Sequence, residues 1–170
     1  MNTPPSLIDA WVTADRHQEL DVMRAQLSDS VVLRSPLTGA FTFHGPEDVG
    51  HAFGAAFDLL HDIEIHRVTG FGSDWVVHGT NTLDGRNLEE IQWLYLDAEV
   101  LIDEVTLFIR PVPAALALFS KIGNRLAARV LPRRAGVAAA SLAPFAALFR
   151  GIEKVLMPRL GPRNAGPRHS

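Results

Sequence analysis

Glu90 and Gln92 stand two residues apart in a run, residues 88–96, that reads as a strand, so period-two geometry turns both side chains to one face. A carboxyl on a buried face can act as acid or base, because burial raises its pKa toward neutrality. Glu90 is therefore a candidate for proton transfer; the competing reading is an exposed hairpin charge near Arg86. Asp103 is the second candidate, inward-facing if it follows Val105, Leu107 and Ile109, or solvated at the start of its strand. His44, His51, His61 and His66 lack the helical i, i+4 pair with a nearby acid that a zinc site of the zincin type uses, so no metal is expected. The chain has no cysteine, which removes disulfides, thiolate chemistry and Cys-based zinc sites. It also has no Gly-rich phosphate loop, Walker pattern, nucleophile elbow or internal repeat, so no cofactor is expected.

These residues need a sheet to hold them. Four runs, 63–71, 75–83, 88–96 and 101–109, are bounded by Gly, Asp and Asn and read as an antiparallel meander. A tight turn through Asp84-Gly85-Arg86-Asn87, with Gly first of the two central residues, sets Val77 against Leu94, Gly79 against Gln92 and Asn81 against Glu90. Val76, His78 and Thr80 then share the opposite face with Tyr95, Trp93 and Ile91. Upstream, Pro4-Pro5-Ser6 with Asp9 reads as a helix start. Leu7, Ile8, Trp11 and Ala14, then Leu20, Met23 and Leu27, recur at helical spacing in two short helices or one bent one. Val31-Val32-Leu33 is a strand ended by Pro36. Gly45-Pro46-Glu47-Asp48 opens a third helix whose face is Val49, Ala52, Phe53, Ala56, Phe57 and Leu60. Helices followed by a curved antiparallel sheet give an α+β layout with the helices on one sheet face.

Charge divides the chain. Residues 1–110 carry eighteen acids against six Lys/Arg, whereas residues 111–170 carry ten Lys/Arg against the single Glu153. Three segments follow: a pocket domain over 1–111, a basic apolar helical extension over 112–160, and a disordered Gly/Pro/Arg tail over 161–170. In the extension, Leu118, Ile122, Leu126 and Val130 form an i, i+4 row flanked by Lys121, Arg125 and Arg129, and an Ala-rich segment over 137–157 follows. A lid or dimer arm packed on the acidic body is the favoured reading. Contact with a membrane surface through residues 114–157 is the alternative. Nucleic acid is not expected as a partner, since the arginines are interleaved with aliphatic positions and the extension has no Tyr or Trp for stacking. No basic n-region precedes an apolar stretch at the start, and charges interrupt every long apolar run, so a cytoplasmic protein is expected, with membrane association the variant reading. The aromatic face bearing Trp93 and Tyr95 suggests a homodimer.

Over about residues 7–111 the chain resembles the nuclear transport factor two-like superfamily of cone-shaped domains, which includes ketosteroid isomerases and SnoaL-like polyketide cyclases. The resemblance rests on the order and spacing of Trp11-Val12-x-Ala14, Glu19-Leu20-Asp21, Leu27-Ser28-Asp29, Val31 through Pro36, the Gly45 turn into the Phe53 helix, and Leu96-Asp97 leading through a hairpin to Ile102. Val100 stands in that hairpin where relatives commonly have Gly, which suggests a different turn. Aligned on these motifs, the isomerase's tyrosine donor falls on Trp11, its aspartate base on Ser35 and its protonated aspartic acid on Gln92. A serine without an activating partner cannot serve as the enolising base, so the resemblance implies the cone without isomerase chemistry. Trp11 and Gln92 retain N–H groups that could meet a ligand carbonyl or oxyanion. The Arg-x-Asp pair that an epoxide hydrolase reading needs is absent from every predicted strand.

The expected pocket is lined by Trp11, Ser35, Phe53, Phe57, Asn81, Gln92, Leu94, Val105 and Leu107, an apolar cavity with few polar groups. Its occupant is a small, mostly apolar oxygenated molecule. Two alternatives stand beside binding: a cofactor-independent isomerase, cyclase, dehydratase or hydrolase using Glu90 or Asp103, and an interaction module acting through the C-terminal helices.

Overall fold

The computed structural model describes residues 5–36 and 42–129, side chains at 124 and 126–129 excepted. Its elements are α1 (Ser6–His17), α2 (Leu20–Arg24), β1 (Leu27–Arg34), β2 (Thr42–His44), α3 (Gly45–Phe57), β3 (Leu60–Phe71), β4 (Asp74–Leu83), β5 (Arg86–Leu96), β6 (Ile102–Arg110) and α4 (Val112–Arg129). Helices α1 and α2 precede the sheet and α3 follows its strands β1 and β2, and the α+β layout stands. The expected helix over 137–157 and the tail over 161–170 lie outside the described residues.

Helix α1 begins after Pro5 with Asp9 in its first turn and no side-chain cap. It ends at Gln18, whose φ of 58° reverses the chain and whose side-chain amide donates to the carbonyls of Phe57 and Leu60. Two apolar positions assigned to helices belong to strands: Leu27 opens β1, and Leu60 opens β3 after α3 has ended. In both cases a helix-compatible spacing ran across a turn that the apolar pattern alone does not reveal.

The six strands lie in the order β2-β1-β6-β5-β4-β3, so β2 and β3 are edges and the sheet stays open. The meander β3-β4-β5-β6 is antiparallel, but β1 joins it by parallel pairing with β6, Leu33 opposite Val105. The sheet is therefore mixed rather than wholly antiparallel. Irregular register between His61 and Glu64, Ile65 and Arg67, and Tyr95 and Leu96 bends the strands and gives the sheet its curve. Gly79 sits where β3 presses closest: a Cβ there would lie 2.6 Å from the carbonyl oxygen of Glu64.

The β4–β5 turn differs from expectation. Leu83 pairs with Arg86, so Asp84 and Gly85 are its two central residues, both left-handed at φ 50° and 72°. That is the primed geometry an Asp-Gly pair favours. The register slides by two residues, and Val77 faces Gln92, Gly79 faces Glu90 and Trp75 faces Leu94. A two-residue slide keeps every side chain on its face, so the division between inner and outer residues survives while the cross-strand partners change.

Two apolar clusters fill the inner face. The first joins Ile8, Trp11 and Val12 of α1, Val49 and Phe53 of α3, and Trp75, Val77, Leu94 and Val105 of the sheet. The second joins Ala55 and Leu59 with Leu83 and Leu88 of the hairpin and Ala114, Leu118 and Ile122 of α4. Helix α4 is thus docked on the body, buried through the first half of its predicted apolar row, with Lys121 on Asp84 at 2.6 Å and Arg125 on Asp58 at 2.9 Å. No described helix is long and apolar enough to cross a membrane.

Candidate functional site

The inner face changes character along its strands. On β4 the inward residues run Trp75, Val77, Gly79, Asn81, Leu83; on β5 they run Leu96, Leu94, Gln92, Glu90, Leu88. A polar layer of Asn81, Gln92 and Glu90 therefore separates the two apolar clusters. Helix α1 completes that layer with Asp15, one turn beyond Trp11 on the same buried stripe.

The layer is one connected network. The Trp11 indole N–H donates to Gln92 Oε1 at 2.8 Å. Because an indole nitrogen only donates, it fixes the Gln92 oxygen toward Trp11 and turns the amide nitrogen to the acids. Gln92 Nε2 donates to Asp15 Oδ2 at 3.0 Å and to Glu90 Oε1 at 3.0 Å. Asn81 Nδ2 donates to Glu90 Oε2 at 3.3 Å, while its own Oδ1 is buried with no hydrogen-bond partner among the described residues. Asp15, Gln92 and Asn81 are 4%, 3% and 5% exposed, and Glu90 is half-buried as a residue while its carboxyl is sunk in the layer.

Two carboxyls bridged by one amide repel. Burial, and after it the charge of Glu90, push the Asp15 carboxyl from 3.8 up to about 7, against a smaller downward pull from the Gln92 hydrogen bond and from Arg16. Burial also raises Glu90, opposed by its bonds from Gln92 and then Asn81. Such a pair titrates as a unit, and the shift at Asp15 brings a proton into the range where it can be exchanged near neutral pH.

The residues expected to line a pocket are distributed as follows. Trp11, Phe53, Leu94 and Val105 are buried in the first cluster, with the Trp11 and Phe53 rings edge to face at 5.5 Å. Phe57 and Leu107 are half-buried against it. Asn81 and Gln92 lie in the polar layer with Glu90, and Ser35 is half-buried just past the end of β1. Asp103 belongs to a different group: it accepts hydrogen bonds from Ser28 at 2.5 Å and Ser30 at 2.6 Å, which hold its carboxyl below the usual range. The N–H groups of Trp11 and Gln92, offered by the sequence to a ligand carbonyl, are engaged inside the protein. Asp15 was not singled out from the sequence. The available signal was an acid in register with Ile8, Trp11 and Val12 on an otherwise apolar helix stripe.

On the outer face Trp93, Tyr95 and Phe108 are 48%, 46% and 51% exposed, and a shallow groove is lined by Asp74, Trp93, Tyr95, Glu104 and Thr106. His78 lies on this side, on Glu89 at 2.8 Å, and Glu89 also pairs with Arg110. Among the described residues no group of three His, Asp or Glu side chains is placed to hold a metal ion.

A curved open sheet roofed by three N-terminal helices is the cystatin-like cone of the nuclear transport factor two-like and ketosteroid isomerase-like proteins, and comparison with solved structures gives the chain that fold. An uncharacterised protein from Silicibacter pomeroyi with a cystatin-like fold superposes with TM-score 0.69 at 18% identity, over 73% of this chain and 87% of that one. A steroid delta-isomerase from Pseudomonas aeruginosa superposes with TM-score 0.67 at 22% identity, over 72% and 90%. A Catenulispora acidiphila protein with the ketosteroid isomerase-like fold, solved in complex with trimethylamine, gives TM-score 0.54 at 14% identity, over 68% and 93%. No family model matches the sequence, and no curated protein matches it.

Proposed function

We propose that this protein binds a small, mostly apolar molecule at the polar layer between the two clusters and moves a proton, without cofactor, through the Asp15–Glu90 pair. The observation that carries the reading is the bridged pair itself: two acids held by one buried amide, with Asp15 raised to about 7. Glu90, the less buried residue of the pair, is the member that meets the ligand, and Asp15 tunes it. Asp103 is not assigned a part, since its serine bonds favour the ionised form and make it a poor acid and a weak base. The loss of the isomerase's base at Ser35 argues against isomerase chemistry of that type.

Extraction of the purified protein followed by mass spectrometry tests the reading. A small apolar compound is expected from the parent chain, turned over by it and bound but not turned over by Glu90→Gln. Recovery of nothing beyond solvent controls, or unimpaired turnover by Glu90→Gln, sinks it.

We further propose a homodimer through the outer face. Trp93, Tyr95, Ile91 and Phe108 are adjacent there by register, and their charged neighbours are already paired, Glu104 with Arg34 and Glu89 with Arg110. Light scattering at micromolar concentration is expected to give a dimer that Trp93→Glu converts to monomer. The burial of Ala114, Leu118 and Ile122 supports a roof over the second cluster rather than a membrane contact for that part of α4.

A further inference from the structure

The polar layer has its donors spent and its acceptors in surplus. The single indole N–H of Trp11 is spent on Gln92, and the two amide hydrogens of Gln92 are spent on Asp15 and Glu90. Asn81 points an N–H at Glu90. Acceptors remain. An ionised carboxylate offers about four acceptor sites, whereas Asp15 receives one amide hydrogen bond and Glu90 receives two. The carbonyl oxygen of Asn81, in a side chain 5% exposed, has no partner among the described residues. An acceptor left unmade in a buried setting costs free energy until a donor meets it.

Charge points the same way. Among the described residues no cationic side chain hydrogen-bonds to Asp15 or Glu90; Arg16 acts on Asp15 only through space, its guanidinium donating to the carbonyl of Ile65. A buried acid pair flanked by apolar clusters is left with negative charge to be neutralised by a proton or by something bound.

From this surplus of acceptors and negative charge we infer that the polar group of the ligand is a donor cation, a protonated primary or secondary amine carried on a small apolar body. Its ammonium meets Glu90 and the unpartnered carbonyl of Asn81, and the acid pair gives up its bound proton to solvent. Carbonyl and carboxylate head groups, which only accept, are rejected. The inference rests on the polar layer being the binding site, and it replaces recognition of an oxyanion by recognition of a cation.

Three probes sharing one apolar body separate the possibilities: cyclohexylamine, cyclohexanol and cyclohexanecarboxylate, titrated calorimetrically into the full chain at neutral pH. The amine is expected to bind about tenfold or more tighter than the alcohol, the margin of a charge-assisted hydrogen bond over a neutral one. The carboxylate is expected to show no heat. Amine binding is further expected to release protons, seen as a heat that changes with the ionisation enthalpy of the buffer. Glu90→Gln, a neutral isostere, should erase the preference for amine over alcohol. Alcohol bound as well as or better than amine, or an amine preference that survives both Glu90→Gln and Asp15→Asn, overturns the inference and leaves the binding site standing. Silence from all three probes at millimolar concentration overturns the site together with the inference.

Discussion

Replacing Asp15 by Asn removes a charge the fold holds at a cost, and the cost can be worked out. In the unfolded chain the Asp15 carboxyl ionises near 3.8; in the folded protein it ionises near 7. Between those values the native state binds the proton that the unfolded state has released, so stability falls as pH rises through the window and the penalty is complete above about 7. At 1.4 kcal/mol per pH unit the gap amounts to ~4 kcal/mol. Burial is the larger cause and Glu90 the second, with the Gln92 bond and Arg16 opposing both, so the penalty belongs to the acid pair as a unit. Asn keeps an oxygen for the Gln92 amide and carries no charge. Urea unfolding at constant m-value is expected to find Asp15→Asn more stable than the parent by ~2–4 kcal/mol at pH 8, narrowing to ~1–2 kcal/mol at pH 5. The same variant should lose the proton-transfer activity assigned to the pair. A parent whose stability does not fall between pH 5 and 8, or an Asn variant less stable at pH 8, would refute the reasoning: Asp15 would then be an ionised structural anchor.

Two further substitutions test the frame around the site. Leu118→Ala removes a side chain 2% exposed from the second cluster and should cost ~2–3 kcal/mol in urea unfolding, whereas a helix reserved for a membrane would give no loss. The Asp97 turn holds Val100 at φ 63°, with Asp97 Oδ1 accepting the N–H groups of Glu99 and Leu101. A branched residue is strained there, so Val100→Gly should gain ~1 kcal/mol, and a loss would show that the entropy of the unfolded glycine outweighs the strain.

The sequence disclosed faces better than partners. Period two in β4 and β5 sorted Asn81, Glu90 and Gln92 inward and Trp93 and Tyr95 outward, and that sorting survived a turn centred one residue earlier than expected, because a slide of two preserves parity. What lies across from each residue did not survive, since it depends on whether Asp84-Gly85 or Gly85-Arg86 takes the left-handed positions. The parallel pairing of β1 with β6 was hidden for another reason: it joins strands some seventy residues apart, and local composition carries no trace of it. Val100 adopts a left-handed backbone in spite of its branched side chain. The apolar spacing of α1 does not disclose Asp15, since the informative residue on that stripe is the acid among its apolar neighbours. The spending of the Trp11 and Gln92 donors was beyond reach, as their partners are set only when α1 lands on β5, 81 and 77 positions away.

The two clusters and the polar layer form one device. Burial is the first cause of the raised pKa at both Asp15 and Glu90, and that burial is supplied from two sides, by Trp11 and Phe53 with the first cluster and by Leu88, Leu118 and Ile122 with the second. Well-packed apolar side chains in place of the four polar ones would give a more stable cone, since a buried acid pair without a bonded cation costs more than it returns. A protein concerned only with stability therefore has no reason to keep it. Retention of Asp15, Glu90, Gln92 and Asn81 at the boundary between clusters is intelligible if destabilisation is the means by which a proton is held near neutrality. On this view α4 helps to set the chemistry: by roofing the second cluster it keeps water from that side of the layer, and so keeps the acids available for exchange.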